Sequence, residues 1–187
     1  MSFAISPHHA ADDFPDGLTL DDKIEIFLDR IDGWQLGVAR QMIEAGITHR
    51  AVALLHIVTS YFEMIGKYSE GFVGEGRSKD HFNIGLRLVF PNMPGERGAL
   101  GEALYKNVRS GLYHVGMTGS RVILSQDLPG SIGFNEEHNM LMISSDQLVA
   151  DLIIRFEAFA AQLREPANIA LRANFEARFD ADNQLEL

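Results

Sequence analysis

The chain contains no cysteine. Disulfides, thiol nucleophiles and cysteine-ligated zinc are therefore excluded. Proline is scarce, with 6 in 187 residues, and tryptophan occurs once. No apolar run approaches the ~18 uninterrupted residues of a membrane span, so no membrane partner is expected. The opening "MSFAISPHHAADDFPDG" has no basic leader and its apolar start is broken at Pro7. That pattern predicts no signal peptide and a cytoplasmic location. Positive charge is also in short supply: 16 Lys and Arg stand against 26 Asp and Glu, a formal net charge of −10. Such a balance argues against a general nucleic-acid binder, because phosphate binding needs local positive potential.

What is present is ordinary for a globule, with 46% hydrophobic and 22% charged residues. The length predicts one domain able to bury a core. Residues 1–17 read as an irregular arm, with Pro7, Pro15, Asp12, Asp13 and Gly17 clustered there. Thr19 is placed to cap a helix whose stripe is Leu20, Ile24, Phe27, Leu28, Ile31, Trp34, Val38 and Met42. Gly46 marks its stop. Thr48 starts a second helix through Ala53, Leu55, Val58, Phe62 and Ile65, followed by the loop "SEGFVGEGRSKD". Ser78 opens a shorter helix that ends before Pro91. After "PNMPGERG", Leu100, Leu104, Val108, Leu112 and Val115 form a fourth stripe, closed by Gly116 and Gly119.

The periodicity then changes. "RVIL", "SIGF" and "MLMIS", separated by "DLPG" and "NEEHN", predict a small ribbon or meander over about residues 121–143. Leu148, Leu152, Phe156, Phe159 and Leu163 restore helical spacing up to Pro166, and residues 166–187 form a partly helical tail. The expected fold is mainly α: a helical bundle over 18–165 with a β insertion before its last long helix.

Three motifs resemble sites without meeting their requirements. "GFVGEGRS" (71–78) has P-loop spacing, but Arg77 stands where lysine belongs and a helix, not a strand, precedes it. "PGSIG" (129–133) lacks the first glycine of a serine nucleophile elbow. His8–His9 and "EEH" (136–138) lack metal-ligand spacing on a regular element, so no metal or cofactor is expected.

Charge is unevenly spread. Residues 1–30 hold seven acids and two bases, whereas 97–121 hold Arg97, Lys106, Arg109 and Arg121 against Glu102 alone. This basic segment contains "LYKNVRSGLYHVG", in which Arg109 and His114 lie five positions apart near a helix end. One reading is a surface arginine beside a histidine drawn to the helix C-terminus by its dipole. The other is a phosphate-handling pair: arginine offers a permanent bidentate fork, and histidine titrates near neutral pH. On a straight helix the two side chains diverge by about 140°, so a shared phosphate requires an irregular helix end or a second copy. On the second helix His49, His56, Ser60, Glu63 and Lys67 share a polar stripe. It is either a solvated face or the wall of a cleft in which Glu63 pairs with Arg109 and His56 stands nearby.

The phrase "LYKNVRSGLYHVG", with Arg, a small residue, Gly, Leu, any residue and His, resembles the divergent branch of the HEPN (higher eukaryotes and prokaryotes nucleotide-binding) superfamily. The upstream "YFEMIGKYSEG" and the helix order fit the same resemblance. It implies a HEPN-like helical domain over 18–165, a two-fold homodimer, and metal-independent ribonuclease activity of a toxin or defence type. Arg109 would hold the scissile phosphate and His114 would move the proton, with Lys106, Ser110 and Tyr113 as flanking substrate contacts. Ser110 follows the arginine where nuclease members carry Asn, Asp or His. The alternative is a catalytically silent HEPN-like module that binds RNA, a nucleotide or a protein partner.

Overall fold

The computed structural model describes residues 3–91 and 97–183. The side chain of Arg97 and the connection 92–96 lie outside that description. The chain is mainly helical, with one small sheet.

The N-terminal arm folds back on the first helix. Ala4 and Ala10 form an isolated bridge, and a short 3₁₀ turn follows at Ala11–Asp13. The His8 amide donates to Asp29 Oδ2 (2.8 Å), its Nδ1 lies 2.6 Å from Asp29 Oδ1, and Ser6 is fully buried. Helix α1 (Leu20–Ile31) opens with the expected cap. The Asp22 amide donates to Thr19 Oγ1 (3.2 Å) while the Thr19 amide donates to Asp22 Oδ2 (2.9 Å). This reciprocal arrangement satisfies two N-terminal donors at once.

Beyond Ile31 the helix is not regular. Asp32–Leu36 forms a π-helical turn before α2 (Gly37–Glu44). The wider turn adds a residue, so the buried face steps from Ile31 to Leu36 and Ala39. Trp34 and Val38, expected in the stripe, are instead exposed, Trp34 by 52%.

Helix α3 (Ala51–Glu70) starts later than Thr48 predicts. His49 takes a left-handed backbone (φ 63°), and the next residue, Arg50, forms the N-cap and pairs with Asp146. Gly71 (φ 65°) ends α3. Helix α4 (Ser78–Val89) then packs back on it at backbone contact. A Cβ on Gly66 would meet the His81 carbonyl oxygen at 2.1 Å, and one on Gly85 the Phe62 oxygen at 1.8 Å. Only glycine permits this approach. Helix α5 (Arg97–Leu104), a second π-turn (Tyr105–Ser110) and α6 (Gly111–Val115) form one further helical rod.

The sheet occupies the expected segment, with β1 (Val122–Leu124), β2 (Ile132–Asn135) and β3 (Met140–Ile143). It is not a meander. The order is β1-β3-β2, with β1 parallel to β3 (Val122 opposite Leu141) and β2 antiparallel (Ile132 opposite Ile143). The most buried strand takes the centre, where Leu141 and Ile143 are fully buried. Helix α7 (Ser145–Arg164) follows.

The tail from 166 turns at Pro166 into α8 (Ile169–Asp182), which is part of the main core. Phe175 meets Phe27 edge-on at 5.2 Å, and Phe175 and Phe179 are buried. Lys23 on α1 reaches Glu176 and Asp180 on α8, at 2.9 and 2.8 Å. Among the described residues, no helix is long and apolar enough to cross a membrane.

Candidate functional site

The rod carrying Arg109 is shaped by a four-residue repeat. Leu100, Leu104, Val108 and Leu112 are all buried. At about 100° per residue, each four-residue step would drift about 40° around an α-helix. The π-turn at Tyr105–Ser110 takes up that drift, so Leu104, Val108 and Leu112 keep one face toward the core. Val115, one α-turn further, no longer reaches it and is 77% exposed, contrary to its place in the expected stripe.

The end of the rod is held by its own loop. The Gly119 amide donates to the Asn107 carbonyl (2.7 Å), and Gly116 takes a left-handed backbone (φ 74°) that stops the helix. Gly111 lies under this loop: a Cβ there would sit 2.6 Å from the Met117 carbonyl oxygen. The glycine of "RSGLYH" is thus required by backbone contact.

Arg109 points from the π-turn towards α3. Its guanidinium lies over the rings of Tyr105 (5.6 Å) and Tyr113 (4.7 Å), and Nη2 donates to Glu63 Oε2 at 2.8 Å. The aromatic contacts and the ion pair fix the planar fork in one direction. Glu63 Oε1 is 3.0 Å from Lys67 Nζ, one helical turn along. Burial pushes the Glu63 carboxyl upward. Hydrogen bonds from Lys67, Ser78 and Arg109, with the charge of Lys67, outweigh that and hold it below the ordinary glutamate range.

These groups line a cleft of about 310 Å³ between α3, the Arg109 rod and α8. His56, Ser60, Glu63 and Lys67 come from α3, and Arg109 and Tyr113 from the rod. The polar stripe is therefore a cleft wall, except that His49 precedes the helix and takes no part. Arg178 and Asp182 of α8 complete the lining, joined by an Arg178 Nε to Asp182 Oδ2 bond of 2.9 Å. Counting His56 as neutral, three cations (Lys67, Arg109, Arg178) face two carboxylates (Glu63, Asp182), a net charge of +1 in a protein of −10.

His114 does not line this cleft. It is exposed at the end of α6, its ring edge-on to Tyr113 at 5.1 Å and 86°. Arg109 thus lines the cleft and His114 does not, and the imidazole in the cleft lining is that of His56. Lys106 is exposed and Ser110 half-buried, and neither lines the cleft. Sequence reasoning placed Glu63, His56, Arg109 and Tyr113 together but missed Arg178 and Asp182. Their signal was an i,i+4 ion pair beside the Phe175–Phe179 stripe. Among the described residues, no group of three or more His, Asp or Glu side chains is arranged to hold a metal ion.

As chemistry, the arrangement offers a bidentate fork, a flexible ammonium and an exposed aromatic ring around a small opening. That combination suits an oxyanion attached to a planar group. Comparison with models of known protein families, with curated protein sequences and with solved structures returned no match.

Proposed function

We propose that the protein is a HEPN-like module that binds a phosphate-bearing ligand, RNA or a nucleotide, in the Arg109 cleft and does not cleave it as a single chain. One observation carries this reading: Arg109 is fixed between two tyrosines inside a cleft that also holds Lys67, while His114 lies outside it. General acid–base catalysis needs the proton-transfer group within hydrogen-bond reach of the reacting oxygen. Phosphate binding needs only the fork and the ammonium. Tyr113, 73% exposed, supplies a ring on which an adjoining base can stack. The overall charge of −10 favours a local pocket over a broad polyanion-binding surface.

The test is binding of a fluorescent single-stranded RNA by the wild type and Arg109→Ala, with cleavage followed in EDTA. Binding without cleavage, weakened at least about tenfold by Arg109→Ala, is expected, since one hydrogen bond to a charged group is worth about that much. Unchanged binding in the variant would reject the reading.

A ribonuclease is the second reading, and the surface beside His114 favours it. Val115 and Met117 are exposed apolar residues on the loop-capped end of α6. A second copy covering them would bring its His114 towards Arg109 across a two-fold axis. This form requires a homodimer by light scattering. It also requires RNA cleavage in EDTA that falls at least about a hundredfold in His114→Ala.

A further inference from the structure

We propose that Glu63 makes the cleft selective for phosphomonoesters, so that its ligand is a nucleotide or an RNA end bearing a terminal phosphate, and not the interior of a strand. This rests on the reading of the Arg109 cleft as a phosphate site.

Every cation of the cleft already has a carboxylate. Glu63 takes both Arg109 and Lys67, at 2.8 and 3.0 Å, and Asp182 takes Arg178. A ligand anion must therefore compete with Glu63 for two donors, a guanidinium and an ammonium. Glu63 competes with one negative charge and two oxygens, and its attachment to α3 gives it a high effective concentration.

An internal phosphodiester brings the same charge and the same two free oxygens. It gains nothing in the exchange. A phosphomonoester brings about −1.5 to −2 at pH 7 and three terminal oxygens, more charge and one more acceptor than Glu63 itself. Glu63 thus acts as a threshold that the stronger anion crosses and the weaker does not.

The experiment uses the full chain and four probes: a short oligoadenylate with a 5′-phosphate, the same oligomer with a 3′-phosphate, the same with hydroxyl ends, and AMP. The wild type is expected to bind a phosphorylated probe at least about tenfold more tightly than the hydroxyl oligomer. In Glu63→Gln the hydroxyl oligomer should gain affinity, narrowing the ratio to about threefold or less. Tight AMP binding identifies a nucleotide ligand; tight binding of a phosphorylated oligomer alone identifies an RNA end.

No discrimination by the wild type, with Arg109→Ala still abolishing binding, would overturn the selectivity and leave the cleft reading intact. An unchanged ratio in folded Glu63→Gln would remove Glu63 from the role. Loss of effect in Arg109→Ala would overturn both.

Discussion

The two π-turns invite comparison. Each joins two helical segments, and each is followed directly by a glycine, Gly37 after Asp32–Leu36 and Gly111 after Tyr105–Ser110. Both shift the buried face of the rod by a residue. The glycines differ in what they touch. A Cβ on Gly37 would meet the Asp32 carbonyl oxygen at 2.4 Å, within its own turn, whereas one on Gly111 would meet Met117 of a distant loop. The residues thrown outward differ too. The first turn exposes Trp34, and its Asp32–Arg40 pair at 3.6 Å, about half in solvent, borders a separate opening shared with α1 and α7. The second directs Arg109 into a cleft against Glu63. A π-turn is thus a register device, and the second one turns a cationic side chain onto a carboxylate of another helix.

The largest effect is expected at Gly111. Gly111→Val should push the 117–119 loop off the rod and cost about 1–3 kcal/mol, the usual range for overpacking. That corresponds to a Tm fall of about 3–9 °C for a chain of this size. RNA binding should fall with it. Gly37→Ala should cost less, because its own helix can relax towards α geometry, and should leave binding unchanged. Equal losses at both positions would erase the distinction between the turns.

Next in size is the pair of arginines. Arg109→Met leaves Glu63 half-buried with Lys67 as its remaining cation and should cost about 1–2 kcal/mol, read by thermal or urea unfolding. Arg40→Met removes an exposed pair and should fall within about 0.5 kcal/mol of the wild type. A reversed order would show that the first turn, not the second, carries the structural charge pair.

A titration sharpens the same contrast. The Glu63 carboxyl lies below its ordinary value of 4.5 in the folded chain. Its contribution to stability is therefore full above that value and lost as pH falls through the lower folded value. Buried His81, its pKa lowered by burial, works at higher pH: stability should decline as pH drops below 6.5 toward its folded value. Tm against pH should show both limbs in the wild type, and Glu63→Gln should remove part of the acid limb only. The smallest effect is expected for Trp34→Ala, about 0.5 kcal/mol or less at a half-exposed position. A larger loss would mean that the first turn has a partner surface.

Much of this was legible in the residues. Thr19, Gly46, Gly71 and Gly116 mark helix ends through capping and left-handed backbone, which are local preferences. The β segment announced itself by the change of period after Gly119. The Glu63–Arg109 pair was one of two readings of a polar stripe on an otherwise apolar helix, the other being a solvated face. The π-turns did not show, because Trp34 and Val115 fit α-periodicity as well as their neighbours, and only packing against other helices decides which register is buried. The strand order was hidden for the same reason: competition for the central position is settled by burial of Leu141 and Ile143, not by chain order. Arg178 and Asp182 were overlooked because they lie 65 or more residues (178 − 113) from every other member of the cleft, all of which fall between 56 and 113.

That separation sets a timetable. During synthesis α3 and the Arg109 rod are complete while α8 is still unmade, so a nascent chain carries Glu63 and Arg109 with one side of the cleft missing. Phe175 and Phe179 must dock against the core before Arg178 can reach the Phe72 carbonyl, 2.9 Å away, and close that side. The cleft is among the last parts of the molecule to be finished, and its completion reports that the whole bundle has been assembled.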